Sequence, residues 1–293
     1  MKRVCKNNVI YNTSAHNQPA IMVEEHEEFR LELEDCYGGR LKSSQDVFTK
    51  EMWNTVNPAT GPVFIAGACP GAVLCVEIMA INIVDHAVMH IARGPGILGE
   101  YVEGAETSIL KIRNEQLEFG GGLILPVRPM IGVIGTARAE DPVSTSFPGE
   151  HGGNLDCKEI TAGSRVYLPV NVSGALLSLG DIHALMGDGE VCGCGAEMSG
   201  EVVLRTHLEH SFMPTPAVET MDKIHFLGSA KTLDECEAIV LRKAHAYLVQ
   251  RLKMSANDAV RFMSLAGDLG VCQVVDPLKT MRFSLPHRIC ESS

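Results

Sequence analysis

The 293-residue chain has no apolar run long enough to cross a bilayer. Its longest candidates, such as residues 73–84, are interrupted by Glu77 and Asn82 and stop short of the ~20 residues that a spanning helix needs. No membrane-spanning helix and no membrane partner are expected. Basic residues are in deficit: 25 Lys and Arg stand against 36 Asp and Glu, a formal net charge of −11, and no Lys/Arg-rich run is interleaved with aromatics. Such a surface would repel a phosphate backbone, which argues against nucleic acid as a partner. The 10 cysteines are too few and too scattered for a disulfide scaffold, and no charged segment followed by an apolar core opens the chain as a secretory leader would. Reduced thiols in a cytoplasmic protein are the expectation. Also missing are spacings that fix a chemistry outright. There is no HExxH and no GxSxG elbow, and GGRLKSS at 38–44 lacks the GxxxxGK[ST] order of a phosphate-binding loop.

What the chain does have is 45% hydrophobic residues, enough for a well-buried core. As far as about residue 210 these residues fall in short β-type segments separated by Gly, Pro, Asn and Asp, the signature of a mainly antiparallel β protein, a sandwich or barrel-like body. In residues 62–84 a strand, a Cys-Pro-Gly turn and a second strand follow one another, and Glu77 marks the less buried face of the second. In residues 201–210 Val202, Leu204, Thr206 and Leu208 alternate with Glu201, Arg205, His207 and Glu209, so His207 reads as a solvated sheet residue. After about residue 230 the period changes. Thr232 with Glu235 three positions on is a capping box, and Cys236, Ile239, Val240, Ala244, Tyr247 and Leu248 follow at helical spacing. A second helix is bounded by Ser255 and Gly267, and a strand follows. The expected division is a β-rich body, residues 1–210, that carries the site, and a smaller α+β element, residues 211–293, docked on it.

Polar side chains converge in two segments. PGEHGGNLD (148–156) has adjacent glycines that allow tight turning, so that His151 and Asp156 can curl toward one point. In GDIHALMGDGEVCGCGAE (180–197), a strand running through Asp181-Ile182-His183 sets Asp181 beside His183 with Ile182 in the core, and the Gly187-Asp188-Gly189 turn brings Glu190 back toward them. Each residue alone has a plainer reading: Asp156 and Asp181 border turns that Asp commonly caps, and His183 fits a hydrogen-bonded core histidine. Their clustering favours chemistry. Imidazole with carboxylates suits zinc, manganese or a similar ion with an open position, and a free carboxylate can then take a proton from water. On a strand, Glu190, Cys192, Cys194 and Ala196 would share a face. Two such cysteines supply half a tetrahedral site, so small-residue packing is the expectation for them.

Several blocks resemble the acetamidase/formamidase family: DCYGG (35–39), NPATGPVFIAGACPG (57–71), PGEHGGNLD (148–156), VYLPVNVSGALLSLGDIHALMGDGE (166–190) and, more weakly, LGVCQVVDP (269–277). They span nearly the whole chain in order. The resemblance implies hydrolysis of a short amide such as formamide or acetamide to carboxylate and ammonia, on a mainly β fold, with a divalent metal (zinc, calcium or another) as cofactor. Carried over position by position, the polar motif residues are His151, Asn154, Asp156, Asp181, His183 and Glu190, with His16 and Asp35 as second-tier candidates. The expected assignment gives the metal to His151, Asp156, Asp181 and His183, the acid–base work to Glu190, and a supporting catalytic role to His183. Asn154 is expected to donate to the oxyanion. Ala72 and Met186 depart from the family's usual acid and Gln, and the departure at 186 bears on substrate identity. Other expectations are a homodimer or larger homo-oligomer and a small amide as the ligand. Hydrolysis of another small C–N bond, or a structural metal site in a non-catalytic β protein, stand as alternatives.

Overall fold

The structure, a computed structural model, describes residues 1–94 and 96–287. Two large, mainly antiparallel sheets carry the chain, with two helices near the C-terminal end. The first sheet has nine strands in the order Lys2–Val4, Glu28–Leu33, Gly200–Glu209, Val73–Ile83, Arg165–Pro169, Ala217–Glu219, Lys223–Ala230, Lys279–Pro286 and Asp268–Gln273. The second has eleven, and its centre is the strand Leu177–His183, flanked by Met130–Gly135, Glu197–Met198 and Ala59–Ile65. Residue 210 lies between two strands of the nine-stranded sheet, so the sheet itself continues into the C-terminal part.

Period-two alternation explains where the core sits. Leu74, Val76 and Ile78 point into an apolar cluster with Phe29, Leu31, Val202 and Leu204 from their own sheet and Val63, Ile131, Ile134, Leu177, Leu179 and Ile182 from the other. The opposite face of the Val73–Ile83 strand changes character along its length. At Val73 and Cys75 it is covered by a second cluster that includes Tyr167, Phe226, Val240, Ala244 and Tyr247. At Glu77 it is half-buried, and there Glu77 pairs with Arg205 at 2.7 Å and His207 at 3.2 Å. The less buried face expected at Glu77 is therefore local, because the helices cover only one end of the sheet.

The helices start and stop where the sequence says. In α1 (Leu233–Gln250) the Thr232 hydroxyl accepts from the Glu235 amide at 3.2 Å and the Glu235 carboxylate accepts from the Thr232 amide at 3.1 Å. The Ser255 hydroxyl caps α2 (Ala256–Ala266) by accepting from the Asp258 amide, and Gly267 closes it. Each such cap contributes on the order of 1 kcal/mol.

The strand–turn–strand segments hide a crossing that periodicity does not reveal. Ala59–Ile65 and Val73–Ile83 are consecutive yet lie in different sheets, as do Arg165–Pro169 and Leu177–His183. The second crossing carries the chain from the nine-stranded sheet into the centre of the other, and delivers Asp181 and His183 to the end of a strand buried along its whole length.

Candidate functional site

The imidazole of His183 lies among four carboxylates. Its Nε2 is 3.2 Å from Glu197 Oε1, 3.3 Å from Asp181 Oδ1, 3.9 Å from Asp156 Oδ1 and 4.0 Å from Glu190 Oε1. All five residues are buried. Asp181 and His183 meet as the alternation foretells, with Ile182 turned into the core. The strand is not regular there: Asp181 has φ +61°, and Asp156 (+43°) and Glu190 (+47°) are also left-handed. Asp tolerates that region, but Glu seldom adopts it, and each such residue costs on the order of 1–3 kcal/mol unless its surroundings enforce it. Close approach is built in as well. A Cβ on Gly132, in the adjacent Met130–Gly135 strand, would stand 2.5 Å from both Asp156 Oδ1 and Asp181 Oδ2.

Two acids of this cluster were not singled out from sequence. Glu197 faces His183 directly across the paired strands, and its Oε1 accepts from the Gly195 amide at 2.7 Å. Asp276 arrives from the C-terminal part, in a turn pinned by buried Gln273, whose Oε1 accepts from the amides of Val275 and Asp276. The Asp276 carboxylate accepts from Asn154 Nδ2 at 2.9 Å. The signal for Glu197 was its place at the end of the glycine-rich stretch, and for Asp276 the Asp-Pro that ends LGVCQVVDP. Neither signal carries a distance. Cys36 was also missed: its thiol and the carboxylates of Asp181 and Glu197 offer donor atoms within 4.8 Å of one another.

Several expectations need correction. His151 lies outside all three groups of close donors found among the described residues. The glycines after it do take positive φ, +97° at Gly152 and +84° at Gly153, and close a turn with Gly149, but Gly152–Asn154 also pairs with Val133–Gly135, and His151 and Asp156 flank that short strand at its two ends. The pairing is tight: a Cβ on Gly152 would lie 2.2 Å from the Ile134 carbonyl oxygen. His151 lines a separate cavity of about 490 Å³ with Arg138, Phe147, Asn171 and Leu278. Burial and the Arg138 charge push its pKa down to about 4. His16 is exposed and also outside all three groups. Asp35 is buried, but its Oδ1 accepts from the amides of Tyr37 and Gly39, a turn-capping role that fixes the bend beside Cys36. Asn154 donates to Asp276, so it is placed to orient that acid, a different task from holding an oxyanion. Residues 190–195 are turn and loop, where a strand was expected; Cys192 and Cys194 sit there with sulfurs 3.8 Å apart, and Cys194 is buried.

Packing so many acids into a dry interior raises their proton affinity. Burial, reinforced by Asp276, pushes Asp156 well above the ordinary carboxylate range, and burial with Asp156 does the same to Glu190. Burial and the charge of Asp181 lift Asp276 to about 7, and burial lifts Glu197 to about 8. Asp181 is the exception: burial pulls it upward, but the charge and hydrogen bond of His183 prevail and hold it low. Burial disfavours the imidazolium of His183, yet Glu197 and Asp181 outweigh that and keep its pKa well above the usual value.

The cluster also leaves buried polar atoms unpaired: both oxygens of Asp156, Oε2 of Glu197, Oδ1 of Asn154 and Nδ1 of His183. Such atoms are rare in folded proteins and mark where a cation, proton or water belongs. Asp156, His183 and Glu190 offer one nitrogen and two oxygens within 4.8 Å of one another, a donor set and spacing that fit a divalent cation with metal–ligand bonds of about 2.1 Å.

One member of the cluster faces outward. Glu190 lines a cavity of about 240 Å³ together with Leu185, Met186, Leu117 and Phe119. Its loop is held from two sides. Asp188 is gripped by Arg282 at 2.7 and 2.9 Å and by Lys158 at 2.9 Å, while Gly189 donates to the Cys272 carbonyl and accepts from the Val274 amide. A larger cavity of about 910 Å³, lined by Arg128, Glu159, His225 and Arg282, contains none of the cluster.

Comparison with known proteins bears on the family and the fold. The model of the acetamidase/formamidase family matches residues 6–146 and 136–230. The crystal structure of an acetamidase from Bacillus halodurans superposes with a TM-score of 0.96 at 40% identity, covering 99% of this chain and 98% of that one. The formamidase of Methylophilus methylotrophus is 28% identical, with 68% of this chain and 64% of that protein covered. The acetamidase of Mycolicibacterium smegmatis is 28% identical, with 69% of this chain and 66% of that protein covered. The chain spans between 60% and 66% of the length of the curated relatives it matches. By this match, which takes in well over half of its residues, the chain belongs to the acetamidase/formamidase family.

Proposed function

We propose that the protein hydrolyses small amides to carboxylate and ammonia, with a divalent cation held at the His183 cluster. The observation that carries the reading is Glu190. It belongs to a donor set suited to a cation and also lines an apolar cavity of substrate size. Amide resonance makes the carbonyl a poor electrophile and the amine a poor leaving group, so three things are needed: polarisation of the carbonyl, a deprotonated water, and a proton for nitrogen. A divalent cation supplies the first and eases the second. Asp156 and His183 would hold it in this reading, with Asp181 and Glu197 crowding the same imidazole nitrogen, Nε2. Glu190 takes the proton from the attacking water and passes it to the departing nitrogen, because without that protonation the tetrahedral intermediate expels water again. Asn154 keeps Asp276 in place beside Asp156.

The experiment is an ammonia-release assay on acetamide and formamide, before and after chelation. Activity should vanish with the ion and return on adding zinc or manganese, and full activity in ion-free protein would refute the cation's role. Glu190→Gln should lower kcat by two or more orders of magnitude, in line with a general-base contribution of ~10²–10⁴-fold. The proposal extends to assembly as a homodimer or larger oligomer. In its support, Phe119, Leu123 and Ile124 are exposed on the hairpin whose second strand, Leu123–Pro126, ends the eleven-stranded sheet. A reducing, cytoplasmic setting is proposed on the cysteine usage alone.

A further inference from the structure

We infer that the amides this site takes carry an apolar acyl group longer than acetyl, a chain of about four to seven carbons or a phenyl ring. The inference rests on the hydrolytic reading above and specifies its substrate class. Beyond Glu190 the cavity is walled by Met89, Leu117, Phe119, Leu125, Leu185 and Met186. Leu117 is fully buried, while Phe119 and Leu125 are 53% and 39% exposed. At interior packing densities of about 0.75, the 240 Å³ space takes on the order of 150–180 Å³ of ligand atoms, roughly eight or nine non-hydrogen atoms. Acetamide has four and formamide three, so either would leave most of the apolar wall facing water. An upper bound follows from the same number, because sites for drug-sized ligands run to about 300–1,000 Å³.

The lining fixes the chemistry as well as the size. The acidic side chains around the cavity are Glu190, which faces the reacting carbonyl in this reading, Asp188, which is occupied by Arg282 and Lys158, and the Cys192 thiol, which is turned to Cys194. No cation among the lining residues could receive a carboxylate or phosphate on the distal end of a substrate. An unsubstituted hydrocarbon therefore matches the wall, and each methylene it buries should raise kcat/KM roughly fourfold until the cavity is full.

The test is ammonia release by the ion-loaded protein across formamide, acetamide, butyramide, hexanamide, benzamide and decanamide. Expected is a rise in kcat/KM of at least tenfold from acetamide to hexanamide or benzamide and a fall at decanamide. Met186→Trp and, at the rim, Leu125→Phe narrow the cavity. Each should cut the ratio of hexanamide to acetamide kcat/KM at least tenfold, and using two positions guards against one that fails to fold. If ammonia is released but kcat/KM falls steadily from acetamide onward, the acyl-length inference is overturned while the hydrolytic function stands. If long amides are preferred but neither folded variant moves the ratio, the acyl group does not lie in this cavity and the inference is overturned. If no amide releases ammonia, the functional reading itself falls and the inference falls with it.

Discussion

Gly132→Ala should disable the site while leaving the fold intact. The Gly132 backbone is outside the left-handed region, so alanine is conformationally allowed there and the whole effect comes from its Cβ. That atom would lie 2.5 Å from Asp156 Oδ1, 2.5 Å from Asp181 Oδ2 and 3.1 Å from Asp181 Cγ. Ordinary contact begins near 3.4 Å, so both carboxylates must retreat by about 0.9 Å, and neither has room because both are buried. Overpacking of this kind costs about 1–3 kcal/mol. In a chain of this size that lowers Tm by between about 2 and 10 °C. Catalysis should suffer more, since a misplacement of about 1 Å costs on the order of 10²-fold. The assay pairs kcat/KM for ammonia release with thermal unfolding, and adds zinc affinity by calorimetry as a readout that does not depend on turnover. Gly104→Ala is the control, because its Cβ would meet nothing within 4 Å. A folded Gly132→Ala protein with wild-type kcat/KM and zinc affinity would refute the assignment of Asp156 and Asp181 to the reacting centre.

Other perturbations probe the same cluster. Asp276→Asn removes a buried acid that Asn154 orients, and should lower zinc affinity or kcat/KM by about 10–100-fold, the usual effect of a supporting carboxylate; an unchanged titration would dismiss Asp276. In ion-free protein Asp276 and Glu197, raised to about 7 and 8, keep protons that the unfolded chain has already released. Their contribution to stability is present below about pH 4 and is lost as pH rises through those values, so Tm in chelator should fall between about pH 4 and pH 8 and respond less once zinc is bound. A flat profile in chelator would contradict the buried acid cluster. The Cys192 thiol is drawn down to about 6 by its hydrogen bond with Cys194 and borders the same cavity as Glu190. Iodoacetamide should label it with a rate that climbs through about pH 6, followed by mass spectrometry, and the adduct should inhibit by filling the cavity. A midpoint near the ~8.5 of a free thiol would contradict the Cys194 contact.

Local rules were legible because they act over a few residues. The capping box at Thr232 and Glu235, the Ser255 cap and the Gly267 stop depend only on neighbours in sequence, and they bound the helices as read. Alternation gave the buried faces of Gly200–Glu209 because the side-chain period of a strand is two, and Asp181 meets His183 as expected although the left-handed backbone at Asp181 interrupts that period between Leu179 and Ile182. In PGEHGGNLD the glycines adopt the positive φ and close approach that local reasoning foresaw, yet those dihedrals do not say which way His151 points. Pairing with Val133–Gly135 fixed that direction and left His151 outside the cluster.

Residue type and short-range spacing alone were enough to select Asp156, Asp181, His183 and Glu190, the mainly β architecture and the two C-terminal helices. Tertiary structure decided the rest: the crossing from one sheet to the other, Glu197 opposite His183, and Asp276 brought to Asn154 from 122 residues away. The reason is physical. A period or a cap is written in the dihedral preferences of adjacent residues, whereas a site assembled across sheets is fixed only when the strands take their register and the buried acids have nowhere else to go.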